Sequence, residues 1–409
     1  MESKTATATA TATGQTAMAI LLGVSVAHLL NDAMQTVVPA MFPILQGNLK
    51  LTFTQIGWVA FTLNVTASVL QPLIGVYTDR RPLPMLLPIG MVFSLLGMIA
   101  MAFAPSLGFL LLAAALIGVG SSVLHPESSR VAHLAARKGK GLAQSIFQVG
   151  GNTGQALAPL MVAYILSPQG QLGFLWFTIL AVIGIVVQAR VGKWYRAQLQ
   201  AQGERKRAAA GTSETPRFSR RFIGYAMTIL VLLLFSKFVY LAAMTGYYAF
   251  YYMETYGRTL KEAQLALFAL QFAGMAGTFL GGPLADRFGR KNIIWFSILG
   301  TAPFALLLPY VGPTMAIVLS AVIGLILMSG FSVIIVYAQE MLPGHVGTIA
   351  GLFFGVSFGL AGLGSVAIGS FIDGDGVERV IQLCALLPLL GLLAMFLPRD
   401  RTFMKGQRT

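Results

Sequence analysis

Gly282-Pro283-Leu284-Ala285-Asp286-Arg287-Phe288-Gly289-Arg290-Lys291 closes one long apolar run and opens the next, as does the earlier stretch Gly75-Val76-Tyr77-Thr78-Asp79-Arg80. The copies are 207 residues apart, the interval that also relates Phe147 to Phe354 and Val149 to Val356. A repeat at half the chain length implies two equivalent halves. About twelve apolar runs flank the turns: 18–46, 54–77, 84–104, 107–134, 141–167, 172–192, 222–253, 263–284, 292–311, 314–339, 346–372 and 379–397. Each is long enough to cross about 30 Å of hydrocarbon as a helix. Alternating segments of a β-barrel are absent. The reading is an all-α membrane protein, with twelve transmembrane helices in two pseudo-symmetric six-helix bundles.

Composition agrees. Charged residues make up 10% of the chain and hydrophobic ones 56%, with mean hydropathy +0.75; soluble domains carry about 25% charged residues. The net charge of +14 is topological. Of 28 Lys and Arg, all but Lys50, Arg258, Lys261, Arg379 and the intraspan Lys237 fall on the side holding the two repeated turns. That asymmetry places both termini in the cytoplasm and removes the case for nucleic-acid binding. The expected partners are the lipid bilayer and a small solute, and the expected state is a monomer. Residues 1–17 read as a disordered tail, 18–192 and 222–398 as the bundles, 193–221 as a basic linker and 399–409 as a second tail. One cysteine, Cys384, excludes an intramolecular disulfide and a cysteine metal cluster, and it reads as core. No metal or organic cofactor is expected; the proton gradient is the energy source. No HExxH is present, which speaks against a zinc-protease type of enzyme.

The chemistry is expected where ionisable groups enter the spans, because such groups are costly in lipid unless they pair or work. Span 1 carries His28, Asn31, Asp32 and Gln35 on one helical face. Asp32 and His28 are proton-coupling candidates; Asn31 and Gln35 suit helix-to-helix hydrogen bonds or a cavity wall. Span 4 packs His125, Glu127 and Arg130 into six residues. Glu127 and Arg130 can pair along the helix, as a structural ion pair or a proton-responsive gate, and His125 titrates in the physiological range when unperturbed. Span 5 sets Gln144, Gln148, Asn152 and Gln155 on one face, which suits a polar solute path. Gly150, Gly151 and Gly154 allow close approach of another helix. Span 7 holds Lys237 and Tyr240 on a shared face; the lysine needs an anion, either Asp32 or the substrate. Tyr247, Tyr248, Tyr251 and Tyr252 read as an outer aromatic belt. Gln271 reads as packing, and Asp373 and Asp375 receive no role.

The pattern at 282–291 resembles the loop signature of the major facilitator superfamily. The first copy departs from it: Pro82 stands at the second glycine, and Leu83 and Pro84 at the basic pair. His125-Pro126-Glu127-Ser128-Ser129-Arg130, the stretch Gly141–Asn152, Ser236-Lys237 and Val336-Tyr337-Ala338-Gln339-Glu340 resemble the bacterial fosmidomycin-resistance transporters over about residues 20–398. The resemblance implies alternating access, proton-driven efflux of a drug of phosphonate and hydroxamate type, and a bacterial inner-membrane location. It implies gating roles for Gly75, Asp79, Arg80, Gly282, Asp286, Arg287, Gly289 and Arg290. Glu340 suits a gate ion pair or proton coupling. The substrate candidates are Lys237, Tyr240, Gln148, Asn152, Gln155 and Gln35. Symport of an organic phosphate or carboxylate is the alternative, because residues alone do not set direction.

Overall fold

A computed structural model of the chain describes residues 2–135, 140–205, 219–341 and 346–398. Every regular element among them is helical. The N-terminal half holds α1 (Glu2–Ala40), α2 (Phe53–Arg80), α3 (Leu86–Phe103), α4 (Leu107–Ala135), α5 (Lys140–Met161) and α6 (Trp176–Arg205). The C-terminal half holds α7 (Arg220–Gly246), α8 (Leu260–Phe288) and α9 (Arg290–Leu299). It continues with α10 (Pro313–Met328, resumed as Phe331–Met341), α11 (Val346–Asp375) and α12 (Val377–Cys384, resumed as the 3-10 stretch Leu387–Phe396). Eleven described segments are apolar and long enough to span a membrane. One of them, Ile146–Ala201, is 56 residues long and is broken at Gly170, whose φ is +61°, so it supplies two crossings.

The repeat is visible in local chemistry. Thr52 caps α2 in a capping box with Gln55, and Thr259 caps α8 in the same way with Glu262. These pairs are again 207 residues apart. The halves meet along two seams, α2 on α11 and α5 on α8. Exchanging the halves exchanges the seams, as a pseudo-two-fold requires. Leu73, Phe103 and Phe279 are exposed on the outside, where lipid replaces water.

Several expectations change. Helix α1 runs back to Glu2, through the stretch where a disordered tail was expected. Helix α6 continues to Arg205, past the expected linker start at 193, through good helix formers such as Gln198, Leu199 and Gln200. The tyrosines of the segment Tyr248–Tyr256 are not a lipid-facing belt. Tyr247, Tyr248, Tyr251 and Tyr252 are buried, because α7 breaks after Gly246 and turns them inward. Tyr247 donates to the carbonyl of Ser365 at 2.6 Å, and Tyr252 to that of Pro313 at 3.1 Å.

Candidate functional site

Helices α1, α4 and α5 converge on one buried carboxylate. Asp32 sits between two imidazoles: His28 Nε2 is 3.4 Å from Oδ2, and His125 Nε2 is 3.6 Å from Oδ1. Asn31 donates to Oδ1 at 3.1 Å, and Gln155 donates Nε2–H to Oδ2 at 2.8 Å. Gln35 donates to Ser121 Oγ at 2.5 Å, and Gln71 of α2 reaches His125 Nδ1 at 3.4 Å. His28 stacks on Phe147, with ring centroids 4.1 Å apart. Gly151 makes the arrangement possible, because a Cβ there would run into His28 Nε2 and Asp32 Oδ2.

The hydrogen bonds constrain the proton count. His28 Nδ1 lies 2.8 Å from the carbonyl oxygen of Phe147. A carbonyl only accepts, so the network assigns the hydrogen to Nδ1. A neutral His28 would then turn a bare Nε2 lone pair toward Asp32, acceptor against acceptor. A proton held between the two groups makes the contact attractive. The ligand atoms of His28, Asp32 and His125 lie within 4.8 Å of one another, a spacing a metal ion can use. Both carboxylate oxygens, however, already receive amide donors.

Beside this cluster lies a space of about 40 Å³ between the bundles, walled by Asn152 and Gln155 from α5, Thr245 from α7, Gln271 and Met275 from α8, and Leu327 from α10. Drug-sized ligands occupy cavities of about 300–1,000 Å³, so the halves stand contracted around it. Among the described residues, no charged side chain is in the wall. Gln148, one turn from Asn152, is half-buried. Lys237 and Tyr240 lie outside the wall. Lys237 is fully buried and donates to the carbonyl of Leu327 at 2.6 Å, with its ammonium 5.6 Å from the Phe331 ring centroid. Tyr240 is buried in the apolar core, and its hydroxyl has no hydrogen-bond partner among the described residues.

The far end, near Lys50 and Asp375, is shut across the bundles. Asp373 of α11 accepts from the backbone N–H of Phe53 and of Thr54, each at 2.8 Å, and from the Thr54 hydroxyl at 2.5 Å. Gln264 of α8 donates to the carbonyl of Ala40 at 2.8 Å.

A model of the Major Facilitator Superfamily matches residues 24–365 and 248–409. The chain belongs to this superfamily. It is 49% identical over 387 residues to the fosmidomycin resistance protein of Escherichia coli strain K12, covering 95% of this chain and 94% of that protein. It is 46% identical to YfnC of Bacillus subtilis strain 168, an uncharacterized MFS-type transporter, over 95% of each. Among solved structures, a bacterial homolog of the human lysosomal transporter Spinster, inward-facing and occupied, superposes with TM-score 0.75 at 17% identity, over 95% of this chain and 97% of that one. The nucleoside transporter NupG gives a TM-score of 0.69 at 14% identity, over 95% and 99%. These two share the fold.

As a major facilitator protein the chain is a multi-pass transporter, and its expected site residues divide into three groups. His28, Asp32, His125, Gln155 and, through Ser121, Gln35 come together. Glu127 and Arg130 pair at 3.1 Å but stand apart, where Arg130 also donates to the carbonyl of Thr78 at 2.8 Å and to Tyr195 at 3.4 Å. Lys237 does not meet Asp32, one of the two anions considered for it; it donates to the carbonyl of Leu327 instead. Leu327 lies just before the break in α10, where helix carbonyls lose their partners and carry the negative end of the dipole. That helix end takes the place of the carboxylate. In the second repeated turn, Asp286 and Arg287 are exposed, Gly282 is half-buried, and Gly289 has φ +90°, a conformation that requires glycine. Arg290 is half-buried. In the first turn Gly75 is described; the side chains of Asp79, Arg80, Gln144 and Glu340 lie outside the described residues.

Sequence reasoning did not single out Ser121 and Gln71, read Gln271 as packing and gave Asp373 no role. Ser121 precedes His125 by one helical turn, which was a usable signal. The positions of Gln71 and Gln271 on apolar helices were usable too. Nothing in sequence placed Asp373 over the start of a helix some 320 residues earlier.

Proposed function

We propose that this transporter exports fosmidomycin, or a polar anion chemically like it, in exchange for protons by alternating access. The observation that carries the reading is the buried His28–Asp32 contact, whose hydrogen-bond pattern requires a proton. A group that must hold a proton at mid-helix, beside a cavity between two rocking bundles, is placed to exchange one with each side in turn. The amide-lined wall receives the polar solute on Asn152, Gln155, Gln271 and the nearby Gln148. Lys237, one residue behind that wall, lends it a positive field that favours an anion. Glu127 and Arg130 hold the ends of α2, α4 and α6 together during rocking and so act as a gate. The bacterial relatives support a place in a bacterial cytoplasmic membrane, the asymmetry of the basic residues supports termini inside, and we read the protein as a monomer.

Proteoliposomes test it. With one pH unit across the membrane, each exchanged proton supports about tenfold accumulation of fosmidomycin. Asp32→Asn is expected to abolish accumulation while leaving the protein folded. Equal accumulation by wild type and variant would refute coupling at this carboxylate. Movement of the drug with the protons rather than against them would favour the symport alternative.

A further inference from the structure

The proton cluster and the cavity are adjacent but distinct, and one side chain belongs to both. His28, Asp32 and His125 are not in the cavity wall; Asn152, Gln155 and Gln271 are. Of these amides only Gln155 bonds to Asp32, at 2.8 Å. We propose that Gln155 is the positioning residue that couples the protonation of Asp32 to a hydrogen-bond donor, a hydroxyl or N–H, on the transported solute. The proposal rests on the proton-exchange reading above and adds the link between the two sites.

A primary amide has a donor end and an acceptor end. Asp32 as a carboxylate takes the donor end, so Oε1 is left for the cavity, where it accepts from the solute's hydroxyl. With His28 Nε2 already carrying its proton, a further proton passed from hydronium to Oδ2 of Asp32, leaving water, gives an O–H that needs an acceptor elsewhere. Turning the Gln155 amide supplies Oε1 to that O–H and leaves the NH2 end toward the cavity. Donor then faces donor, and the solute is released. Only the O–H bond and the hydrogen bonds change.

The titratable groups that face Asp32 are His28 from its own helix and His125 from α4. From α5 comes Gln155, which is uncharged, and Lys237 of α7 is engaged with Leu327. A proton on His28 alone leaves Asp32 anionic and the amide unturned, so the releasing proton is the one that reaches Asp32 itself. Gln271 adds a second polar contact: its Nε2 is buried without a partner among the described residues and stands in the same wall. It is a donor for the acceptor groups of the solute, whichever way Gln155 points.

The test is binding to the purified full-length protein in lipid nanodiscs, from pH 8 to pH 5.5. The probes are fosmidomycin and its O-methyl ether, which lacks the hydroxyl hydrogen. Wild type is expected to bind fosmidomycin about tenfold more weakly at the acid end, and the ether about tenfold more weakly already at pH 8, with little pH dependence. Gln155→Leu is expected to bind both probes alike, without a pH slope, and Gln155→Asn to restore part of the slope. A wild-type slope and discrimination in Gln155→Leu, with the slope lost in Asp32→Asn, would overturn the proposal and leave the proton site standing. A slope retained in Asp32→Asn as well would remove both. If Gln155→Leu fails to fold, the two probes on wild type decide: equal pH slopes for drug and ether overturn the proposal.

Discussion

The two halves share a scaffold and differ at their centres. At the centre of the N-terminal half a carboxylate is surrounded by two imidazoles and two amides. At the centre of the C-terminal half a single ammonium rests on the end of a broken helix and over a phenylalanine ring. The repeat interval carries Asp32 onto Val239, and Asn152 and Gln155 onto Gly359 and Gly362. Amides on α5 therefore correspond to glycines on α11. The α5/α8 seam keeps a polar hollow, while Gly57 and Gly369 let the α2/α11 seam close backbone to backbone. Pseudo-symmetry governs which helices touch, and residue choice at equivalent positions governs which seam a solute can use. A carboxylate held by titratable side chains can trade protons with them; the Lys237 amine is held by a carbonyl, which only accepts.

The sharpest way to break this contrast is to remove the Lys237 amine. Lys237→Met keeps similar bulk and deletes the ammonium. Hydrogen bonds to charged groups are worth about 1.5–3 kcal/mol, so anion affinity is expected to fall about tenfold or more if Lys237 serves the solute. The binding measurement on purified protein should show this with the pH slope intact, because the proton cluster is untouched. Unchanged affinity with a lower melting temperature would make Lys237 a pin for the α10 break and nothing more.

A second comparison sets one glycine against another. Gly151→Ala puts a methyl into His28 and Asp32, and overpacking of this kind costs about 1–3 kcal/mol. Gly359→Ala, at the position equivalent to Asn152, meets nothing nearer than Ser68 Oγ at 3.8 Å. Thermal unfolding in detergent should separate the two. Equal losses would mean that the crowding at Gly151 relaxes freely.

The scaffold is legible in the sequence because long apolar runs and a 207-residue repeat survive any choice of side chain on the inner faces. The proton cluster is half legible. Asp32, His28 and Gln155 are conspicuous as polar groups in apolar helices, whereas their meeting with His125 depends on how α1 and α4 pack, which no residue type encodes. The partner of Lys237 is not legible, since it is a carbonyl exposed by a helix break and no residue type encodes it. The inward turn of Tyr247 and Tyr248 is hidden for the same reason: it follows from a break after Gly246 in what reads as an unbroken run.

The smallest expected effect concerns the closed far end. Asp373 adds a second cap to α2, beyond Thr52, and this cap comes from the other half. Its bond is between a carboxylate and a helix N-terminus, so it holds only while the two bundles are together at that end. Asp373→Asn keeps one acceptor oxygen and loses the charge. Loss of a good cap costs about 0.5–2 kcal/mol and typically about 1 kcal/mol, which shifts an equilibrium about fivefold. Spin labels at Lys50 and Arg258, one on each half, should show a longer-distance population that grows by about that factor. Its unfolding temperature should stay near wild type, because each bundle is internally intact. A drop in unfolding temperature with no change in the distances would assign Asp373 to the stability of α2 alone and leave the far end closed by Gln264 on Ala40 and by Tyr247, whose hydroxyl reaches the carbonyl of Phe53 at 3.4 Å.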